Sequence, residues 1–212
     1  MGPRGPHTDE SAEPLRARLG RRPATTRAAL EAAALVLFTE RGFDNTSVEE
    51  IAAAAGIARR TVFRYCGSKT DLVWGDFATG LDAMARQLDA TDPDVAVTQA
   101  IRLAVVDFNR LPPEQVPLHR QRMTLILRVP TLLANSTLHF AQWRQVVAEF
   151  AARRMDVPPH GLLPRTIAHC ALGAAVAAYE CWLDDPAADL AVLLDEALRE
   201  LASGFAERGQ LR

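Results

Sequence analysis

Between Arg59 and Lys69 the chain crowds together Arg59, Arg60, Thr61, Phe63, Arg64, Tyr65 and Lys69. Guanidinium forks match the O6/N7 edge of guanine, while hydroxyl and ammonium groups suit phosphate oxygens. That is the chemistry of holding a nucleic acid, not of making or breaking bonds. Residue types suited to catalysis are thinly spread. His119, His139, His160 and His169 are scattered, and His7 lies near the start. There is no zinc-type Cys/His spacing, phosphate-cradling glycine loop or nucleophile elbow. No catalytic residue, metal or cofactor is expected, and a helical enzyme is the weaker alternative.

A reading surface must be held rigid, and the flanking residues supply the means. Val48, Ile51, Ala52 and Ala55 fall on one face of a helix. Thr46 with Glu49, or Ser47 with Glu50, forms a capping box at its start. Gly56 sits where that helix must stop and turn, a position that favours positive φ. Ile57 and Val62 anchor a second helix, so the pattern predicts a helix-turn-helix that offers its second helix to the major groove. Two short helices around a glycine also occur in domains that never meet DNA, so the flanks matter. Upstream, Leu30, Ala33, Ala34, Leu37 and Phe38 make one apolar stripe, closed by Gly42. Downstream, Ser68 and Asp71 cap a helix expected to run unbroken from Lys69 to Leu88. The predicted DNA-binding set is Thr46, Ser47, Arg59, Arg60, Thr61, Phe63, Arg64, Tyr65 and Lys69. Of these, Thr61, Tyr65 and Lys69 are assigned to phosphate, and Arg59, Arg60, Phe63 and Arg64 to base edges.

The block from Thr25 to Phe77 resembles the N-terminal domain of the tetracycline-repressor (TetR) family. The resemblance rests on LEAAALVLFTERGF, on the pair T-S-V-x-x-I-A-x-x-A-G-I, and on T-V-F-R-Y followed by G-S-K. Three departures stand out. Ala58 replaces the usual capping serine or threonine, a loss of ~1 kcal/mol. Cys66 and Gly67 stand where phenylalanine and proline are common, and Phe63 where a tyrosine is common. A narrower likeness, to the mycofactocin-system branch, is carried by ARRTVFRY, SKTDLVWGDF, FNRLPPE and ALGAAVAAYECWL. Trp74, Gly75, Asp76 and Phe77 are its most distinctive quartet.

Composition agrees with an all-α fold. Aromatics are only 6% of the residues, alanine dominates the apolar 49%, and no alternating β-branched run occurs. Net charge is −2, which by itself argues against nucleic acid. Its distribution points the other way: residues 16–69 hold ten basic and five acidic side chains, leaving +5 there and −7 elsewhere. Residues 1–20 read as a disordered basic, proline-rich tail without an apolar signal region. Arg16, Arg18, Arg21 and Arg22 form either a minor-groove arm or a solvated leader. The apolar window Ile167 to Leu183 contains His169 and Glu180 and reads as a core helix, so no membrane span is expected. Cys170 and Cys181 would lie roughly 16 Å apart along one helix, beyond disulfide reach. Cys66, beside the recognition helix, is either a redox-sensitive thiol or a buried structural one. A cytoplasmic location follows from these readings.

The sequence therefore divides into the tail 1–20, a three-helix DNA-binding domain over 21–77, and a helical effector-binding and dimerisation domain over 78–212. Proline and glycine breaks predict body helices at 95–111, 112–129, 131–155, 163–183 and 187–208. The resemblance implies that the last two meet their copies in a homodimer on a palindromic operator. Gly173, Ala174, Ala177 and Cys181 form a small-residue seam, and Leu194 and Leu198 an apolar stripe, for that interface; either stripe alternatively fills the monomer's own core. The middle helices are expected to enclose an effector site. Phe108, Met123, Leu127 and Trp143 are its apolar candidates. Arg120, Arg122, Arg128, His139, Tyr179 and Glu180 are its polar ones, each alternatively an ordinary core or surface group. The branch likeness implies a long-chain acyl-CoA, whose phosphates Arg120 and Arg122 would meet. An architectural DNA binder without an effector is the other reading, to be separated by whether the body holds a cavity.

Overall fold

The computed structural model describes residues 27–204, and the expected tail, its arginine arm and the end of the last helix lie outside them. Among the described residues there are ten α-helices and no strand. The head comprises α1 (Arg27–Arg41), α2 (Val48–Ala54), α3 (Arg59–Tyr65) and the single turn α4 (Asp71–Trp74). The body comprises α5 (Phe77–Asp89), α6 (Val97–Phe108), α7 (Val116–Arg128), α8 (Pro130–Met155), α9 (Leu162–Asp184) and α10 (Leu190–Ser203).

Local chemistry sets these limits. Ser47 caps α2 in a reciprocal box with Glu50, the second of the two boxes the sequence allowed. Gly56 takes φ +66° and ends it. Helix α3 starts at Ala58 without a side-chain cap. Leu30, Leu35 and Phe38 of α1, Ile51 of α2, Val62 of α3 and Leu72 of α4 are essentially solvent-free and form the core of the head. In the body, α9 packs between α8 and α10, and α10 also leans on α6. Arg154, near the end of α8, donates to the carbonyls of Asp92, Pro93 and Val95 and so pins the loop before α6.

One expected helix is two. The run from Lys69 to Leu88 breaks at Gly75 (φ +60°, ψ −137°), a backbone conformation that L side chains rarely adopt. The Gly75 carbonyl, lost to the helix ladder, accepts from Arg27 Nη2 at 2.8 Å. The break aims α5 into the body while α4 stays packed on α1 and α7.

By length and composition α9 is apolar enough to cross a membrane. Here it buries Ala168, Ala171, Ala175, Tyr179 and Trp182 against its neighbours and leaves the opposite face open.

Candidate nucleic-acid interface and ligand cavity

Helix α3 turns Val62 into the head and leaves Arg59, Arg60, Phe63 and Arg64 exposed. Phe63 is 44% exposed, an apolar ring free to meet a base or a thymine methyl. Arg59 Nε meets Glu49 Oε1 at 2.8 Å, and its guanidinium lies 5.5 Å from the Phe63 ring centre. An exposed pair of this kind contributes at most ~1 kcal/mol, so it orients Arg59 without committing it. Arg64 lies 5.4 Å from the centre of the Tyr65 ring, and Thr61 and Tyr65 are half-buried beside these groups. Ser47 is exposed, with its hydroxyl engaged in the α2 cap.

Two residues assigned to DNA have other work. Thr46 is 2% exposed, and its hydroxyl donates to the Gly42 carbonyl at 2.8 Å. Lys69 Nζ donates to the carbonyls of Phe43 at 2.7 Å and Thr46 at 2.9 Å, and lies 4.2 Å from the centre of the Phe43 ring. The loop after α1 leaves carbonyls without helical partners, and a long ammonium side chain reaches them from α4's threshold. Both residues therefore set the turn that seats α2. Cys66 is buried, its thiol directed at the Val62 carbonyl at 3.4 Å, and burial raises its pKa. Less thiolate means less reactivity, which favours the structural reading of that cysteine.

Where head meets body, α4 to α9 line a cavity of about 270 Å³. Its wall is mainly apolar and aromatic: Trp74, Phe77, Phe108, Met123, Ile126, Phe140, Trp143 and Leu172 among others. The rings interlock edge to face, Phe77 with Phe108 at 6.1 Å and 90°, Trp74 with Phe140 at 5.9 Å and 89°. Polar groups in the wall are Asp76, Asn109, His119, Arg122 and Tyr179. Three of them form a relay. Asn109 donates through Nδ2 to the Val105 carbonyl at 2.8 Å, which turns its Oδ1 to accept from the Tyr179 hydroxyl at 2.5 Å. The Tyr179 oxygen then accepts from His119 Nε2 at 2.8 Å, which assigns the imidazole proton to Nε2. Burial, helped by the nearby Arg122 charge, pushes His119 down to about 4, and burial raises the Tyr179 pKa. Both are neutral at physiological pH, so the relay itself offers hydrogen bonds without charge.

Of the expected effector residues, Phe108, Arg122, Met123, Leu127, Trp143 and Tyr179 stand in the wall. Four do not. Arg120 lies over the Trp182 ring at 4.0 Å and donates to the Trp182 carbonyl. Arg128 pairs with Asp184 at 2.5 Å on the surface. Glu180 is exposed, because one residue's rotation carries it off the face that Tyr179 occupies. His139 stacks on Trp74 at 3.8 Å and 5° rather than reaching the cavity. Sequence reasoning missed His119, Asn109, Phe140 and Leu172. A helical stripe was present to find two of them: His119, Arg122, Met123 and Ile126 share one face of α7, as Leu172, Ala175, Val176 and Tyr179 share one of α9.

Cavity and head are joined by an ion bridge centred on a buried carboxylate. Glu31 of α1, 8% exposed, accepts from Arg27 Nε at 2.8 Å and from Arg122 Nη2 at 3.1 Å.

Residues 30–73 match the family model for bacterial regulatory proteins of the tetR family, and residues 95–206 match the MftR C-terminal domain. Over 192 residues the chain is 41% identical to the "Putative mycofactocin biosynthesis transcriptional regulator MftR" of Mycobacterium tuberculosis, covering 91% of this chain and 97% of that one. The chain belongs to the TetR family. It is a transcriptional regulator and not an enzyme. Two solved TetR-type structures share the fold. FadR from Bacillus subtilis, in complex with stearoyl-CoA, has a TM-score of 0.61 at 17% identity, over 84% of this chain and 99% of that one. FadR from Thermus thermophilus, in complex with lauroyl-CoA, has a TM-score of 0.53 at 21% identity, over 88% and 98%.

In this TetR-family body the seam expected for dimerisation divides. Gly173, Ala177 and Cys181 are exposed and Ala174 half-buried, so α9 keeps a small-residue face turned outward. Leu194 and Leu198, at 0% and 5% exposure, instead fill the monomer's own core. The period of α10 puts them on the side packed against α6 and α9.

Proposed function

We propose that this TetR-family regulator is a repressor that leaves its operator when an apolar, acyl-bearing molecule fills the cavity. One observation carries the reading: Trp74, Asp76 and Phe77, which flank the break between head and body, are themselves cavity wall. A molecule lodged there touches the segment that connects the recognition helix to the rest of the protein. The aromatic lining suits a hydrocarbon chain, and the neutral Asn109–Tyr179–His119 relay suits a carbonyl or hydroxyl. Similarity to the FadR complexes supports an acyl-CoA as effector, and similarity to the MftR protein supports a role in mycofactocin biosynthesis genes. The exposed small-residue face of α9 supports a homodimer, with paired heads on a palindromic operator in the cytoplasm. Exposed Arg60, Phe63 and Arg64 are the proposed base-reading set. The architectural alternative is weakened by the cavity itself, which a passive DNA binder has no need to keep.

The test is a titration of acyl-CoA esters of graded chain length against an operator complex. Release at one range of lengths is the expected result. A complex indifferent to saturating ligand at every length removes this class of effector.

A further inference from the structure

Arg122 belongs to two places at once. It stands in the cavity wall, yet its Nη2 donates to Glu31 of α1 at 3.1 Å. Glu31 holds Arg27 through its other oxygen at 2.8 Å, and Arg27 closes the ring on the Gly75 carbonyl at 2.8 Å. The first helix of the head is thus ion-paired to the wall of the cavity, across the break between α4 and α5. Two buried donors of wall residues have no acceptor among the described residues: Nε of Arg122 and Nε1 of Trp74. A buried donor without a partner is costly, and an oxygen delivered by a ligand would satisfy it.

We propose that the effector carries an anionic group, a carboxylate or a phosphate, and that this group draws the Arg122 guanidinium away from Glu31. The inference rests on the effector reading above and names the chemistry that works it. A neutral acceptor brings a hydrogen bond but no countercharge, so it does not replace a buried carboxylate as partner of a guanidinium; an anion brings both. A neutral amphiphile therefore fills the apolar cavity and leaves the bridge intact. An acidic one leaves Glu31 with Arg27 alone and removes the ion pair that ties α1 to α7. Asp76, also in the wall, is exposed and accepts from Thr79 at 2.7 Å, and Arg122 is the cation among the described wall residues. By linkage, operator binding then weakens acidic ligands by the same factor.

The experiment uses the full chain and a duplex that it selects from a random library. Operator affinity is measured in palmitoyl-CoA, palmitate and methyl palmitate, with tryptophan fluorescence reporting cavity occupancy. Wild type should lose operator affinity about tenfold or more with an acidic ligand, within the usual range of allosteric coupling. Methyl palmitate should quench fluorescence and leave operator affinity unchanged. Release by palmitoyl-CoA alone identifies phosphate as the working anion, and release by palmitate identifies the carboxylate. Glu31→Gln, checked for helicity, should bind the acidic ligand yet shift operator affinity by less than about twofold. Equal release by methyl palmitate, or full release in Glu31→Gln, overturns the proposal while leaving the effector reading standing. Wild type that neither quenches nor releases with any of the three overturns both. If Glu31→Gln does not fold, the acid-against-ester comparison in wild type decides alone.

Discussion

Gly75 and Arg122 leave no room between them for a β-carbon. One built on residue 75 would stand 2.5 Å from Arg122 Nη1 and 2.8 Å from Glu31 Oε2. The backbone there is also in a glycine-favouring region, at φ +60°. Gly75→Ala should therefore cost stability twice, through backbone strain of ~1–3 kcal/mol and through displacement of the ion bridge. Urea unfolding checks this, and a variant as stable as wild type would mean that the seam has slack.

On the DNA face, Arg60→Ala and Arg64→Ala should each weaken operator binding by ~1–3 kcal/mol and relax preference at one base position. Lys69→Met should behave differently, because its ammonium group is spent on two carbonyls of the head. It should lower the melting temperature and leave the salt dependence of binding unchanged. A slope reduced by about one would return Lys69 to the phosphate contacts.

His119 makes the body sensitive to acid. Its pKa falls from 6.5 to about 4 on folding, so the unfolded chain binds the proton more readily. The stability that comes from keeping it neutral is complete above 6.5 and is lost as pH falls towards about 4, a total of about 3 kcal/mol. His119→Gln should flatten that part of the stability profile relative to wild type. Parallel profiles for the two proteins would contradict the burial argument.

The small-residue stripe of α9 and the leucine stripe of α10 should respond separately to substitution. Ala177→Glu adds a charge to the exposed face of α9 and should yield a folded monomer with weakened operator binding. Leu194→Ala opens a hole in the monomer's core and should cost ~2–5 kcal/mol of stability. Sedimentation and thermal melting distinguish them. Wild type that sediments as a monomer while binding its operator tightly would refute the paired-head scheme.

The head was legible because its determinants are local. Ser47 and Glu50 are close enough in sequence to cap a helix wherever it sits, and Gly56 ends one whatever surrounds it. The inward stripe of α1 and the outward arginines of α3 follow from helical period alone. Charge segregation pointed to DNA before any fold was known.

What the sequence could not decide was which partner each long side chain would find. Lys69 and Arg122 carry the right charge for phosphate, yet one reaches two loop carbonyls and the other a glutamate ninety-one residues away. Periodicity identified an apolar stripe on α10 and a small-residue stripe on α9, but the packing of α6 chose which one to bury. The helix expected from Lys69 to Leu88 breaks at Gly75, where Arg27, Glu31 and Arg122 converge. Short-range patterns fix helices because their energies are local. A buried charge is settled only by whichever carboxylate or carbonyl the tertiary fold brings within hydrogen-bond reach.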